Sequence, residues 1–248
     1  MDSPIEAQRK FYNQRWADSP YINRLKLERC IAILESLKAL PLTQPELIDL
    51  GCGSGWLASI LAHLGPTVGV DLSDLAIEAA RQKYPAVKFI QADLNQWDHA
   101  GWGPFDVVVS QEIIEHFSDQ RQYLRLAYDL LRPQGYLILT TPNARTFAAM
   151  REDQRLAWSG QPIENLLDEK QLRQLVEPYF EVLTLRAIIP AFGSKGIYRF
   201  FSSDRIKKAA QKLHFASALK RVRLRLGLGL HLVLVGKKRL HISSGQSA

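Results

Sequence analysis

One run of nine residues limits the folds open to this chain more than any other: Leu47-Ile48-Asp49-Leu50-Gly51-Cys52-Gly53-Ser54-Gly55. A short apolar strand pattern runs into three glycines at alternate positions, and a helical pattern, Trp56–His63, follows at once. Glycine lets the backbone turn tightly and admits a ligand where a β-carbon would collide. Strand, glycine turn and helix form the first unit of a parallel sheet with crossover helices. The rest of the chain repeats that alternation. The strand patterns are Leu47–Leu50, Thr67–Asp71, Val87–Gln91, Asp106–Ser110, Tyr136–Thr141, Phe180–Ile188 and Leu230–Gly236. Helical patterns lie at Leu75–Tyr84, with Ser73 placed to cap it, at Asp119–Leu131 and at Asp168–Val176.

Two additions flank this core. Residues 1–44 read as an N-terminal helical cover, clearest over Leu25–Leu40, and residues 45–248 form the α/β domain. Between the last two strands, at about 189–228, lies a connection too long for an ordinary loop, which reads as a basic amphipathic insertion. The net charge of +7 belongs to the C-terminal segment: residues 195–248 carry 13 basic side chains against the single acid Asp204, while residues 1–194 carry 19 basic and 24 acidic ones. The opening Met1-Asp2-Ser3-Pro4 has no leader pattern, and no apolar run approaches a membrane span. Cys30 and Cys52 lack the spacing of a metal knuckle or redox pair. A soluble cytoplasmic protein is the expectation.

The glycine turn fails the dinucleotide fingerprint, because the position of its third glycine holds Trp56. Asp49 points the same way. A carboxylate beneath the turn would repel a pyrophosphate by about 3 kcal/mol at 6 Å and an effective dielectric of 20, but would attract an ammonium or sulfonium. Asp71 ends the second strand, where a carboxylate can accept from both hydroxyls of a ribose. Asp93 ends the third, where it can accept from an adenine amino group while Leu94 covers the ring. Each acid alone could be a turn or cap residue. Their joint placement at the C-terminal ends of successive strands is what marks a ligand site.

On the words Ile48-Asp49-Leu50-Gly51-Cys52-Gly53-Ser54-Gly55, Gly69-Val70-Asp71-Leu72-Ser73, Gln91-Ala92-Asp93-Leu94, Phe105-Asp106-Val107-Val108-Val109 and Leu131-Arg132-Pro133-Gln134-Gly135-Tyr136, the chain resembles the class I S-adenosylmethionine-dependent methyltransferases. The resemblance is strongest over residues 45–142. It implies a doubly wound, Rossmann-like seven-stranded sheet of order 3-2-1-4-5-7-6 with strand 7 antiparallel, here Leu230–Gly236. It implies S-adenosyl-L-methionine as methyl donor, with Asp49, Gly51, Gly53, Gly55 and Gln111 around the methionine part, Asp71 and Leu72 at the ribose, and Asp93 and Leu94 at the adenine.

The stretch Gln111-Glu112-Ile113-Ile114-Glu115-His116 follows the fourth strand and resembles the Glu-x-x-Glu-His element of ubiquinone-biosynthesis O-methyltransferases and of small-RNA 2′-O-methyltransferases. In those families the trio can hold a divalent metal such as magnesium, which suits carboxylate and imidazole donors. The RNA enzymes add a further histidine, whereas the comparable stretch Ile163-Glu164-Asn165-Leu166-Leu167 has none. The reading preferred here is therefore metal-free, with His116 taking the acceptor's proton and Glu112 and Glu115 behind it.

Ile188–Phe192 and Ile197–Phe201 are apolar enough to roof an acceptor pocket. Ser203–Leu219 reads as one amphipathic helix, extended by Lys220, Arg221, Arg223 and Arg225. Residues 195–225 allow three readings: a packed lid with its basic face in water, peripheral attachment to an anionic membrane, or contact with nucleic acid, for which no recognition module is present. The function expected is transfer of a methyl group to oxygen on a small or lipid-linked acceptor. An RNA methyltransferase and a non-catalytic cofactor-binding interaction protein are the alternatives.

Overall fold

The computed structural model describes residues 4–18, 22–153, 164–191, 196–203, 206, 208, 212 and 215–241. Seven strands form one sheet: β1 (Leu47–Leu50), β2 (Thr67–Asp71), β3 (Lys88–Gln91), β4 (Phe105–Gln111), β5 (Leu131–Pro142), β6 (Phe180–Pro190) and β7 (Gly229–Lys238). Their order is β3-β2-β1-β4-β5-β7-β6, as the motifs imply. The first five strands pair in parallel, and β7 enters antiparallel between β5 and β6.

The helices in chain order are α1 (Pro4–Asp18), α2 (Arg24–Lys38), α3 (Trp56–Leu61), α4 (Asp74–Lys83), α5 (Gln120–Leu130), α6 (Ala144–Ala149), α7 (Glu169–Val176), α8 (Gly196–Ser202) and α9 (Ala216–Arg225). Most begin where a short polar side chain can accept an otherwise unpaired amide. Asn23 caps α2, Ser73 caps α4, Asp119 caps α5 and Asn143 caps α6, while Asp168 and Gln171 form a reciprocal capping box at α7.

The period-two alternation of the strands sends side chains to two cores. On one face Ile48, Leu50, Val108, Leu137 and Leu139 pack with Leu124, Leu130 and Leu172 of α5 and α7. On the other, Leu47, Val107, Val109, Ile138, Val233 and Val235 pack with Ile33 of α2, Leu61 of α3 and Phe147 of α6. The expected N-terminal cover is thus two helices, of which α2 forms part of the second core.

Two expectations about the basic insertion need correction. The helix expected over Ser203–Leu219 is not continuous: Ser203 is non-helical, Phe215 has turn-like dihedrals ahead of α9, and residues 204–205, 207, 209–211 and 213–214 lie outside the described residues. The apolar stretches flanking it do not roof the cavity described below. Ile188, Ile189, Ala191 and Tyr198 are consumed by the second core, where the Tyr198 hydroxyl meets Thr146 Oγ1 at 3.0 Å. Phe192 lies outside the described residues. Among the described residues no helix is long and apolar enough to cross a membrane.

Candidate active site

Parallel pairing brings the C-terminal ends of β1, β2, β3 and β4 to one edge, with Leu50 opposite both Val70 and Ser110 and Asp71 opposite Gln91. The chain leaves β1 through Gly51, Gly53 and Gly55, all at positive φ (74°, 51° and 76°). The Val70 carbonyl accepts from both the Gly51 and Cys52 amides, at 2.7 and 3.0 Å, and so fixes the first bend. A β-carbon at Gly51 would lie 1.9 Å from Ile113 Cδ1, and one at Gly55 would lie 2.6 Å from the Phe89 ring. These two glycines permit close packing as well as an unusual φ.

A cavity of about 220 Å³ opens above this edge. Asp49, Gly51, Asp71, Leu72, Asp93, Leu94, Gln111, Glu112, Glu115 and His116 all line it. Gly53 and Gly55 do not. They act from behind: the Gly53 amide donates to Asp71 Oδ2 at 2.8 Å, and Gly55 precedes α3. The outer wall comes from residues that pattern reading passed over: Gln8 and Tyr12 of α1, Lys26 and Arg29 of α2, and His231 of β7. The polar positions Lys26 and Arg29 share one helical face at i, i+3, a spacing that could have flagged them. Nothing in sequence ties His231 to Glu112, because 119 positions separate them.

The acids of the cofactor wall differ in their partners. Asp49 is fully buried, and neither carboxylate oxygen makes a hydrogen bond, although the Ala58 amide is oriented toward it. Burial, with the negative charge of Asp71 added, pushes its carboxyl well above the ordinary range. Asp71 is held by the Gly53 and Ser73 amides, each at 2.8 Å. Burial raises its pKa too, but these backbone donors oppose the shift. Asp71 therefore shapes the turn into α4 and also faces the cavity. Asp93 Oδ1 likewise accepts from the Asn95 amide and side chain at 3.0 and 2.9 Å, a turn role combined with a place in the wall.

Glu112 does not back His116. It stands at positive φ (60°), with Oε1 accepting from Thr140 at 2.9 Å and Oε2 lying 3.0 Å from His231 Nε2 and 3.7 Å from Arg29 Nη1. Burial alone would raise its pKa, but the charges of Arg29 and His231 and the hydrogen bonds from His231 and Thr140 outweigh that and hold it at about 2. Glu115 is pushed the other way, well above its usual value, by burial and by the charge of Glu112, with Thr141 Oγ1 donating to it at 3.1 Å. The His116 ring is 3.8 Å from Glu115 and meets Tyr12 edge-on at 6.0 Å, and Gln8 donates to its backbone carbonyl.

These observations test two ligand groups. S-adenosylmethionine fits: Asp49 is an orphaned buried acid facing the cavity, and a cationic amino group is what would complete it. A divalent metal on the Glu112–Glu115–His116 trio does not fit, because Arg29, His231 and Thr140 already occupy the Glu112 carboxylate and Thr141 donates to Glu115. Among the described residues no group of three His, Cys, Asp or Glu side chains is arranged to hold a metal ion.

Comparison with known proteins agrees with the fold. The family model described as a methyltransferase domain matches residues 44–181, more than half of the chain. Ubiquinone biosynthesis O-methyltransferases from Caulobacter sp. strain K31 and Thiobacillus denitrificans are 38% and 35% identical over 109 and 108 residues, each match covering 42% of this chain. The chain spans less than half the length of these relatives, 43% and 47%. Among solved structures, Haemonchus contortus phosphoethanolamine N-methyltransferase 2, in complex with S-adenosyl-L-methionine, superposes with a TM-score of 0.59 at 17% identity, covering 94% of this chain and 56% of that one. At that identity the likeness is one of fold. With the sheet order, the glycine turn and the acids at the strand ends already in view, the chain belongs to the class I S-adenosylmethionine-dependent methyltransferases.

Proposed function

We propose that the enzyme methylates an oxygen atom of a small or lipid-linked acceptor, with His116 as the proton acceptor. The observation that carries this reading is that one cavity is lined both by the strand-end residues, Asp49 to Leu94, and by His116 and Arg29. The names of the ubiquinone O-methyltransferase relatives support oxygen as the methylated atom.

S-adenosylmethionine, when bound, supplies a methyl group already activated on a sulfonium, so the protein's work is positioning and water exclusion. Asp49 would hold the amino group, Asp71 the ribose hydroxyls, and Asp93 with Leu94 the adenine. Trp56 and Leu57 line the cavity as apolar wall. Glu115 lies 3.8 Å from the imidazole, where its carboxyl can stabilise the positive charge that develops on His116. The imidazole, held between Tyr12 and Glu115, is placed to take a hydroxyl proton.

The test is incubation with labelled donor and separate lipid, quinone and RNA extracts. Label is expected in the lipid or quinone pool, and label confined to RNA would replace this reading. With the acceptor in hand, His116→Ala should lower kcat by about 10²- to 10⁴-fold at unchanged cofactor affinity. Full turnover in that variant would remove the proposed base.

The basic insertion supports a second element of the proposal, peripheral contact with an anionic lipid surface. Its described residues expose Ile197, Phe200, Phe215, Val222 and Leu226 beside exposed Lys208, Lys212, Lys220, Arg221 and Arg225. Apolar side chains flanked by cations suit the interface of an anionic membrane. Flotation should be seen with anionic vesicles and lost with neutral ones.

A further inference from the structure

Arg29 is buried, yet its side chain is not fully used. Its Nη1 lies 3.1 Å from His231 Nε2 and 3.7 Å from Glu112 Oε2, whereas its buried Nε has no hydrogen-bond partner. A guanidinium presents Nε–H and one Nη–H along a single edge, parallel and spaced to match the two oxygens of a carboxylate. One edge is spent on the Glu112–His231 pair, and the Nε edge belongs to a residue that lines the cavity. An Nε–H shut away from water with nothing to donate to is an unfavourable arrangement unless a ligand completes it.

We infer that Arg29 anchors a carboxylate on the acceptor, presenting its guanidinium to the cavity it lines while Nη1 stays with His231 and Glu112. The inference rests on the reading of this cavity as the methyl-transfer site and specifies its substrate class. Three features favour this ligand. Lys26, one helical turn earlier on α2, lines the same cavity and adds positive charge at that wall. Glu112 lies within 3.7 Å of the guanidinium and offsets part of its charge, which suits a monoanion and disfavours a doubly charged phosphate. Asp49, Asp71 and Asp93 line the cofactor side, so a negatively charged group is steered toward α2 and away from the strand ends. The fixed cation thereby occupies the electrostatic role beside Glu112 that a divalent metal would otherwise fill, so acceptor binding needs no added metal.

The experiment uses the full chain loaded with S-adenosylhomocysteine, in EDTA, titrated with matched acids and amides: 4-hydroxybenzoate against 4-hydroxybenzamide, and decanoate against decanamide. At least one acid should bind about tenfold or more tightly than its amide, the range expected of a charge-assisted bidentate pair. Arg29→Lys retains the charge without the planar edge, and the double variant Arg29→Gln/Glu112→Gln retains the local charge balance, so that folding is protected. Both should reduce the acid preference to about twofold or less while S-adenosylhomocysteine affinity stays within about twofold. Equal binding of acid and amide, no binding of either acid, tighter binding of phenyl phosphate than of the acids, or a preference that survives both variants would overturn the inference. Failure of S-adenosylhomocysteine itself to bind would instead overturn the reading of the cavity, and the inference would fall with it.

Discussion

The two walls of the cavity each hold a desolvated carboxylate, Asp49 buried and Glu112 partly exposed, and the two acids are treated in opposite ways. Asp49, on the cofactor wall, has no hydrogen-bond partner, and its burial raises its pKa. Glu112, on the acceptor wall, is surrounded by Arg29, His231 and Thr140, and is held ionised with a pKa of about 2. Desolvation is common to both, so desolvation does not decide the charge state. Partners supplied by the fold do. An acid whose partners are all provided belongs to the scaffold, and one left without partners faces a site that a ligand completes.

The largest effect that would break this contrast is expected at Glu112. Glu112→Gln leaves the Arg29 charge buried and uncompensated, which should cost about 3–5 kcal/mol. At about 2–4 °C per kcal/mol for a chain of this size, Tm should fall by roughly 6–20 °C in scanning calorimetry, with cofactor affinity nearly unchanged. The sign with pH follows from the lowered pKa. Glu112's contribution is present above its unfolded value, about 4.3, and is lost as pH falls through about 2. Acid titration of the variant should therefore lack a loss of stability between those values that the native protein shows.

Asp49→Asn should behave inversely. Loss of the acid facing the donor's cationic group should weaken S-adenosylmethionine binding by about 100-fold in calorimetry, within the range for truncating one member of a buried charged pair. Without the ligand, however, a carboxylate with a raised folded pKa contributes stability only below its unfolded value and loses it as pH rises through the folded one. The apoprotein carrying Asn should therefore melt a few degrees higher than the native one at neutral pH, by roughly 2–4 °C per kcal/mol relieved. Donor affinity of the native protein should rise with pH as Asp49 ionises, and the variant should lose that slope. If affinity and apo-stability fell together, Asp49 would be scaffold and the contrast would fail.

How much of this was legible beforehand follows the same division. The strands could be read because each signal is local: Leu47–Gly55 is one contiguous stretch, and Asp71 and Asp93 close strands marked by their own apolar patterns, whereas the strand order came from the family resemblance; Asp49, Asp71 and Asp93 do line one cavity. The acceptor wall joins residues far apart in the chain. Glu112 meets Arg29 from α2 and His231 from β7, and neither partner has a periodicity or motif that announces the encounter. Sequence adjacency suggested that Glu112 backs His116, but the left-handed backbone at Glu112 and the Thr140 hydroxyl on the neighbouring strand take its carboxylate elsewhere. The apolar runs beside the basic insertion misled for a related reason: a hydrophobic stretch shows that it will be covered without showing by what, and the second core covers it.

A smaller substitution sharpens the contrast without removing an acid. Thr140→Val deletes one of the donors that hold Glu112 and should cost about 1–3 kcal/mol of stability, the range for a buried acceptor left short of a partner. Donor binding should not change, since the hydroxyl serves the scaffold wall alone. A shift in donor affinity comparable to the stability loss would mean that the two walls are coupled and cannot be described separately.

The smallest expected effect carries the rule to the outside of the molecule. Among the described residues Lys220, Arg221 and Arg225 form no ion pair, and on the surface an unpartnered cation in water has little energetic cost. Lack of a partner is consequently weaker evidence of a ligand there than at Asp49. Replacing the three by Gln should weaken association with anionic vesicles by up to about 1 kcal/mol per residue, and by less as salt is raised. Tm should hardly move, because these side chains are exposed. Flotation unchanged by the triple variant would return the insertion to a solvated cover on the second core, and would show that partnering identifies ligand sites only where water is excluded.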